Sequence, residues 1–404
     1  MYSRDLNAGF SRPVFESRND LKPSRLRHDG VQGQSVVAAA NTVAAWLWRR
    51  ASRVGKAVGI VVVALSLWPS VASARSAALQ QALDTGDLLY ENGQYEDAVP
   101  YWRKAVAFGE REFGADHPDT AILISNLALL YGDLGRYDEA ESLHRRALAI
   151  QERALGPDHP DVGLEANFLA LVYYRQGRYR EAEPLLQRAL AITEAALAAD
   201  DPQIAGILNN LAMLYTAEGG YAEAELLYRR SLAIVEAAYG QNSLDVAIGL
   251  DNLGMLYYDQ GLYDEAEPMV RRALAIAEKV LGPDHPSVAV KLNNLALINF
   301  DLGRHAEAET MFLRALAIHE RTLGPDHPNV ATTLDNLALL YGELGHYAEA
   351  ETLSRQALAI YEAAFGPDHP DIVISLENLA ALYDDMGRYS EANDLRRRAA
   401  AVSN

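Results

Sequence analysis

Apolar residues in this chain recur at helical spacing. Over residues 119–160, Ile124, Leu127, Ala128 and Tyr131 fall at i, i+3, i+4 and i+7, which puts them on one face of a first helix. Pro118 and Asp119 precede this pattern, so the helix is expected to start after them with the aspartate capping the exposed amides. Gly135, suited to the left-handed conformation, is expected to end it. A second helix follows, with Tyr137, Ala140, Leu143, Ala147 and Leu148 on its apolar face and Asp138, Glu139 and Glu141 near its positive end. Small Ala128 and Ala140 let two antiparallel helices approach closely.

This pattern repeats. A glycine recurs every 42 residues, at Gly93, Gly135, Gly177, Gly219, Gly261, Gly303, Gly345 and Gly387, and an alanine stands five residues after each. A fixed period of this size predicts a stacked array, with eight antiparallel helix pairs at 77–118, 119–160, 161–202, 203–244, 245–286, 287–328, 329–370 and 371–404. The expected fold is therefore all-α, a right-handed α-solenoid. Glu141 and Arg145, with Glu225 and Arg229, Glu267 and Arg271, and Glu351 and Arg355, have the favourable i,i+4 order and read as a solvated outer face, each pair worth ~0.2–0.5 kcal/mol.

The order Leu127-Ala128, Tyr131, Gly135, Tyr137, Ala140, Ala147-Leu148 resembles the tetratricopeptide repeat. The 42-residue length, the Asn-Leu-Ala-x-Leu-Tyr string (336–341 and 378–383) and the Gly-Pro-Asp-His-Pro loop (156–160, 282–286, 324–328 and 366–370) resemble the longer kinesin-light-chain form. The resemblance covers about residues 77–404. Some positions depart from it: Phe168 replaces an Asn, Asn299 and His305 replace Tyr, and the loops at 198–202 and 240–244 are degenerate. The first unit has Asp84 in place of the Asn and Gly86 in place of an Ala.

Before the array, residues 1–48 form a polar leader expected to be disordered, and 49–76 a signal peptide or membrane anchor. Arg49, Arg50, Arg53 and Lys56 precede an uncharged apolar stretch, 57–74, that ends Ala72-Ser73-Ala74. Pro69 and the 18-residue length favour cleavage over spanning. The expected location is exported, periplasmic or extracellular, with cytoplasmic as the alternative and membrane contact only through 57–74 if uncleaved.

Charge narrows the partners. The chain carries a formal net charge of -19, but residues 1–74 are +6, which leaves -25 on the rest. An array this acidic is a poor binder of nucleic acid or anionic lipid. Without cysteine there is no disulfide, thiol nucleophile or thiolate metal site. Once 77–404 is helix pairs nothing remains for a catalytic domain, and no phosphate loop, His-Glu-x-x-His or Gly-x-Ser-x-Gly occurs, so the expected protein is not an enzyme. His117, His159, His285, His327 and His369 recur one per loop. Stacked helices hold equivalent residues about 8–10 Å apart, too far to share a metal at ~2.0–2.2 Å, so no metal or cofactor is expected. The Asp-His-Pro element reads instead as a turn that starts the next helix.

The other stripe of the first helix carries the candidate site. Ile122, Asn126, Leu129 and Asp133 align at i, i+4, i+7 and i+11. The Asn recurs as Asn210, Asn252, Asn294, Asn336 and Asn378, although Asn is a mediocre helix former. Two readings fit: each amide bonds a neighbouring repeat or the preceding turn, or the amides form a ladder for the backbone of an extended peptide. The family resemblance implies the second, because these superhelices line a concave groove with first-helix residues. Leu129, Leu171, Met213, Met255, Leu297 and Leu339 would give the groove an apolar floor. Asp133, Asp259, Asp301, Glu343 and Asp385, with Asp251, Asp335 and Glu377, would make it acidic and suited to a cationic peptide. The expected function is a non-enzymatic scaffold or adaptor that binds a protein segment in this groove. The alternatives are an assembly protein of an envelope complex that uses repeat edges and ends, and a regulatory partner of a separately encoded signalling protein.

If 49–76 is a signal, the chain from its native host starts at Arg75. N-terminal sequencing checks this, and a full-length chain in the soluble cytosolic fraction would contradict export.

Overall fold

The computed structural model describes residues 76–91, 94–367, 369 and 372–402. The leader, most of the signal-like segment and Gly93 lie outside the described residues. The chain divides into two units, the first running to Gln241 and the second from Asn242 onward.

The described residues form sixteen helices and no strands. In the first unit these are α1 (Ala77–Glu91), α2 (Tyr95–Glu112), α3 (Pro118–Asp133), α4 (Tyr137–Leu155), α5 (Pro160–Arg175), α6 (Tyr179–Ala196), α7 (Pro202–Ala217) and α8 (Tyr221–Tyr239). In the second they are α9 (Leu244–Asp259), α10 (Tyr263–Leu281), α11 (Pro286–Asp301), α12 (His305–Leu323), α13 (Pro328–Glu343), α14 (Tyr347–Phe365), α15 (Ile372–Asp385) and α16 (Tyr389–Val402). Each odd-numbered helix packs on the even-numbered one after it, and within each unit successive pairs stack. The array of eight helix pairs is thus as the periodicity predicts. No helix among the described residues is long and apolar enough to cross a membrane.

From the second pair onward, the turn inside each pair is set by its glycine. Gly135 has φ 70°, and its N–H bonds the Gly132 carbonyl at 3.1 Å while the Arg136 N–H reaches the Tyr131 carbonyl at 2.8 Å. Two of the carbonyls that a helix end leaves open are satisfied in this way within three residues.

The helix starts differ from the sequence expectation. Proline is the first helical residue, and the cap is the histidine before it, not the aspartate after it. Nδ1 of His117, His159, His285 and His327 accepts from the backbone N–H two residues on, at 3.1–3.2 Å. The physical reason is position: Asp119 already lies in the first turn, while His117 has the extended backbone (φ -83°, ψ 142°) that aims a side-chain acceptor back at the free amides. The degenerate loops keep this function by other chemistry, with Asp201 capping α7 and Ser243 capping α9.

Ile124, Leu127, Ala128 and Tyr131 are all buried, as are Ala140 and Ala147 across from them. The departure at Gly86 has a packing cause. Trp102 is fully buried over it, and a Cβ at Gly86 would lie 2.9 Å from the indole nitrogen. Alanine holds the equivalent position in the other units except the fifth, where a Cβ at Gly254 would lie 2.6 Å from Val270 Cγ2.

The expected solvated outer face needs correction at Glu141, Glu267 and Glu351, whose side chains are only 17–22% exposed. Glu141 accepts from Arg145 at 2.9 Å, from the Tyr173 hydroxyl of the next first helix at 3.1 Å and from Arg178 of the next turn at 2.5 Å. The Arg178 guanidinium lies 4.2 Å over the Tyr173 ring. Glu351 repeats the arrangement with Arg355, Tyr383 and Arg388. Burial would raise the Glu141 carboxyl, but the bonds from Arg178 and Tyr173 outweigh it and hold the group below its ordinary value. These carboxylates tie one repeat to the next.

One buried polar pair has no counterpart in the sequence analysis. His144 Nδ1 lies 2.7 Å from Glu165 Oε1, and both residues are buried where α4 meets α5. One period later the same two positions are held by buried Leu186 and Ile207. Removing one partner strands the other, so Glu165→Ile alone should cost roughly 3–5 kcal/mol, whereas His144→Leu with Glu165→Ile should be neutral or stabilising. Denaturant unfolding of the two variants checks this.

Candidate functional site

The stripe of first-helix residues is present, and its members differ in exposure. Asn126, Asn210, Asn252 and Asn294 are buried, while Asn336 and Asn378 are half-exposed. Asn210 Nδ2 donates to Asn167 Oδ1 of the preceding first helix at 2.8 Å, and Asn294 Nδ2 donates to Asp251 Oδ2 at 3.0 Å. At these two sites the amide joins neighbouring repeats. The corresponding bonds from Asn336 to Asn293 and from Asn378 to Asp335 are not formed, and the Asn293 and Asp335 Oδ1 atoms are buried without partners. The ladder is closed at Asn210 and Asn294 and open at Asn336 and Asn378. Of the floor residues, Leu129, Met213 and Met255 are buried, Leu171 and Leu297 are half-buried, and Leu339 is 39% exposed.

The acidic residues sort in the same direction. Asp133 is half-buried, accepts from the Tyr90 hydroxyl at 2.7 Å and is pushed up to about 7 by burial, against the pull of Tyr90 and Arg175. Asp301 is half-buried, accepts from the Tyr258 hydroxyl at 2.6 Å and is likewise raised by burial. Asp259, Glu343 and Asp385 are exposed. Asp251 does not add to an exposed acidic surface, because it is buried 3.7 Å from the Nζ of the equally buried Lys291. Asp335 is also buried, and Glu377, though exposed, lies 3.7 Å from Arg396.

In the first unit the position of Asp133 is taken one period on by Arg175 and two periods on by Ala217. Asp133, Arg175, Leu129 and Leu171 line one shallow depression there. The acidic stripe is therefore confined to the second unit. Reading the same helical position through all the units, instead of its acidic members alone, would have found Arg175. Lys291 carries no periodic signal, because lysine appears once at a position held elsewhere by other residue types, whereas the acceptors Asn167 and Asp251 share one repeat position that is Asn or Asp in five units, from 167 to 335.

The architecture defines a helical repeat protein whose first-helix face is amide-rich and, in its second half, acidic and open. Models of the tetratricopeptide repeat match residues 79–153, 121–195, 164–237, 246–287, 287–363 and 347–404. The chain belongs to the tetratricopeptide repeat family. Arrays of this kind are protein–protein interaction scaffolds or regulators, generally without enzymatic activity, and the partner is a protein or peptide. No curated protein matches the chain closely enough to be counted a relative. Among solved structures, it is 28% identical to a Podosopora anserina putative kinesin light chain with nearly identical repeats, over 51% of this chain and 98% of that one, with a TM-score of 0.44. The apo quorum sensor NprR from B. thuringiensis shares the fold at 15% identity and a TM-score of 0.60, covering 91% of this chain and 97% of that one. Aspartyl phosphate phosphatase F from Bacillus subtilis does so at 14% identity and a TM-score of 0.55, covering 93% and 96%.

Asp335 yields a pH prediction. Burial pushes its carboxyl up to about 7, with the Ser375 hydroxyl opposing. The folded chain then keeps a proton that the unfolded chain has lost, so this group's contribution falls as pH rises from about 4 to about 7 and stays lost above that. Asn occupies the equivalent position at 167, 209 and 293, so Asp335→Asn fits. Thermal melts should show the variant gaining over the parent as pH rises through this window, by on the order of 2 kcal/mol or more at pH 8. A pH-independent difference would contradict the assignment.

Proposed function

We propose that this chain is a non-enzymatic adaptor that holds an extended peptide segment against the first-helix face of its second unit. The observation that carries the reading is the open part of the ladder. Asn336 and Asn378 are half-exposed and make no hydrogen bond to their neighbours, beside exposed Leu339, Glu343 and Asp385. An amide has both a donor and an acceptor to offer, which is what an extended main chain requires. The exposed carboxylates favour a segment with Lys or Arg, with screening by salt.

The rival reading, assembly through the ends of the array, finds less support at the C-terminal end. Arg396 bonds Asp384, Arg397 bonds Asp394 and Arg398 bonds Glu362, so this end satisfies its own charges. The proposed setting is outside the cytoplasm, which rests on the signal-like pattern at 49–76.

Replacing Asn336 and Asn378 together with Ala should weaken binding of a Lys-containing extended peptide by roughly 1–3 kcal/mol, at about 0.5–1.5 per hydrogen bond, and leave the melting temperature level or slightly raised. Titrations of the full chain with matched cationic and anionic peptides at low and high salt provide the measurement. Preference for the anionic peptide would contradict the charge reading, and unchanged affinity of the double variant would contradict the ladder.

A further inference from the structure

The turn region of most first helices carries an aromatic pair. Tyr258, near the end of α9, packs on Tyr263 at the start of α10 with ring centroids 5.5 Å apart, and its hydroxyl donates to Asp301 on the next first helix at 2.6 Å. The first unit contains the same triad, with Tyr90 on Tyr95 at 5.0 Å and donating to Asp133 at 2.7 Å. Two periods after Tyr258, Tyr263 and Asp301 stand Gly342, Tyr347 and Asp385. The ring partner and the carboxylate are kept, and the phenol is missing.

The space is open. A Cβ at Gly342 would meet only Leu382 Cδ1, at 3.5 Å. Tyr347 is 38% exposed and has no ring partner among the described residues, and Asp385 is exposed without a hydrogen bond or ion pair there. Leu339, one turn earlier on α13, is also exposed and flanks the notch. The other glycine at this position, Gly132, does not offer the same set, because Tyr137 is buried and the next repeat presents Arg175 where a carboxylate would be needed.

We propose that the notch at Gly342, between Tyr347 and Asp385, is a binding pocket for a tyrosine side chain of a partner peptide. The ring takes the place that Tyr258 holds two repeats earlier, and the hydroxyl donates to Asp385 as Tyr258 donates to Asp301. Phenylalanine gains the ring contact and lacks the charge-assisted bond, so tyrosine is preferred. The exposed Glu343 and Asp385 carboxylates select a cationic residue beside the tyrosine and disfavour a phosphorylated one. This specificity rests on the groove reading for the peptide main chain, and the notch itself can be tested without it.

Two measurements on the full chain decide the matter. In the first, Gly342→Tyr is compared with Gly342→Phe and Gly342→Ala in thermal melts, so that the helix propensity gained on replacing glycine cancels. The expected order is Tyr above Phe, with the difference abolished by Asp385→Ala, which removes the acceptor; no difference between Tyr and Phe overturns the proposal. In the second, fluorine NMR compares N-acetyl-3-fluorotyrosinamide with N-acetyl-4-fluorophenylalaninamide at millimolar concentration. Greater broadening of the tyrosine probe, lost in Gly342→Tyr, is expected; equal broadening, or broadening that survives Gly342→Tyr, overturns it. A cationic peptide with one Tyr should bind about tenfold tighter than the same peptide with Ala. Equal affinity of the two sinks the notch and spares the groove. Failure of both peptides to bind while the fluorine probe still responds sinks the groove and keeps the notch.

Discussion

The structure depends on covering the first helix of each pair. In α3, twelve of sixteen residues are buried, whereas the second helix α4 buries only six of nineteen. One partner helix cannot cover that much of a cylinder, so a first helix is stable only between its own second helix and neighbouring repeats. The exact 42-residue period, the paired alanines and the left-handed glycines at the turns from Gly135 to Gly387 all serve this close stacking.

The same constraint accounts for the polar chemistry inside the array. A helix covered on nearly every side has little room for polar residues that water would otherwise satisfy, and an unpaired buried group costs roughly 1–3 kcal/mol. Asn210 and Asn294 therefore bond across to Asn167 and Asp251, Tyr90 and Tyr258 reach the carboxylates of the following repeat, and Lys291 is buried beside Asp251. Where cross-repeat partners fail to meet, as at Asn336, Asn378 and Gly342, the helix face is left with capacity for something else. Function in such an array is read from breaks in its own pattern.

Electrostatics follows the same division. The first unit places Arg175 beside Asp133, whose carboxyl is raised by burial, while the second presents Glu343 and Asp385 to solvent. Counting acidic residues along the stripe overstates the field, because Asp251 and Asp335 are inside the protein. The charge that a ligand meets is set by which carboxylates keep contact with water.

The sequence by itself determined the helix pairs, their number and register, the glycine turns and the buried Ile124, Leu127, Ala128 and Tyr131, because these depend on local spacing repeated at a fixed period. It also located the Asn stripe. What it left open was the state of each Asn, which depends on the residue 43 positions earlier on another helix and on how near the two side chains come. Histidine in place of aspartate as the cap, the half-buried Glu141 clamp and the His144–Glu165 pair are likewise decisions of distance and burial. Such facts arise only when helices far apart in sequence are brought within hydrogen-bonding reach, and a one-dimensional pattern holds no measure of that separation.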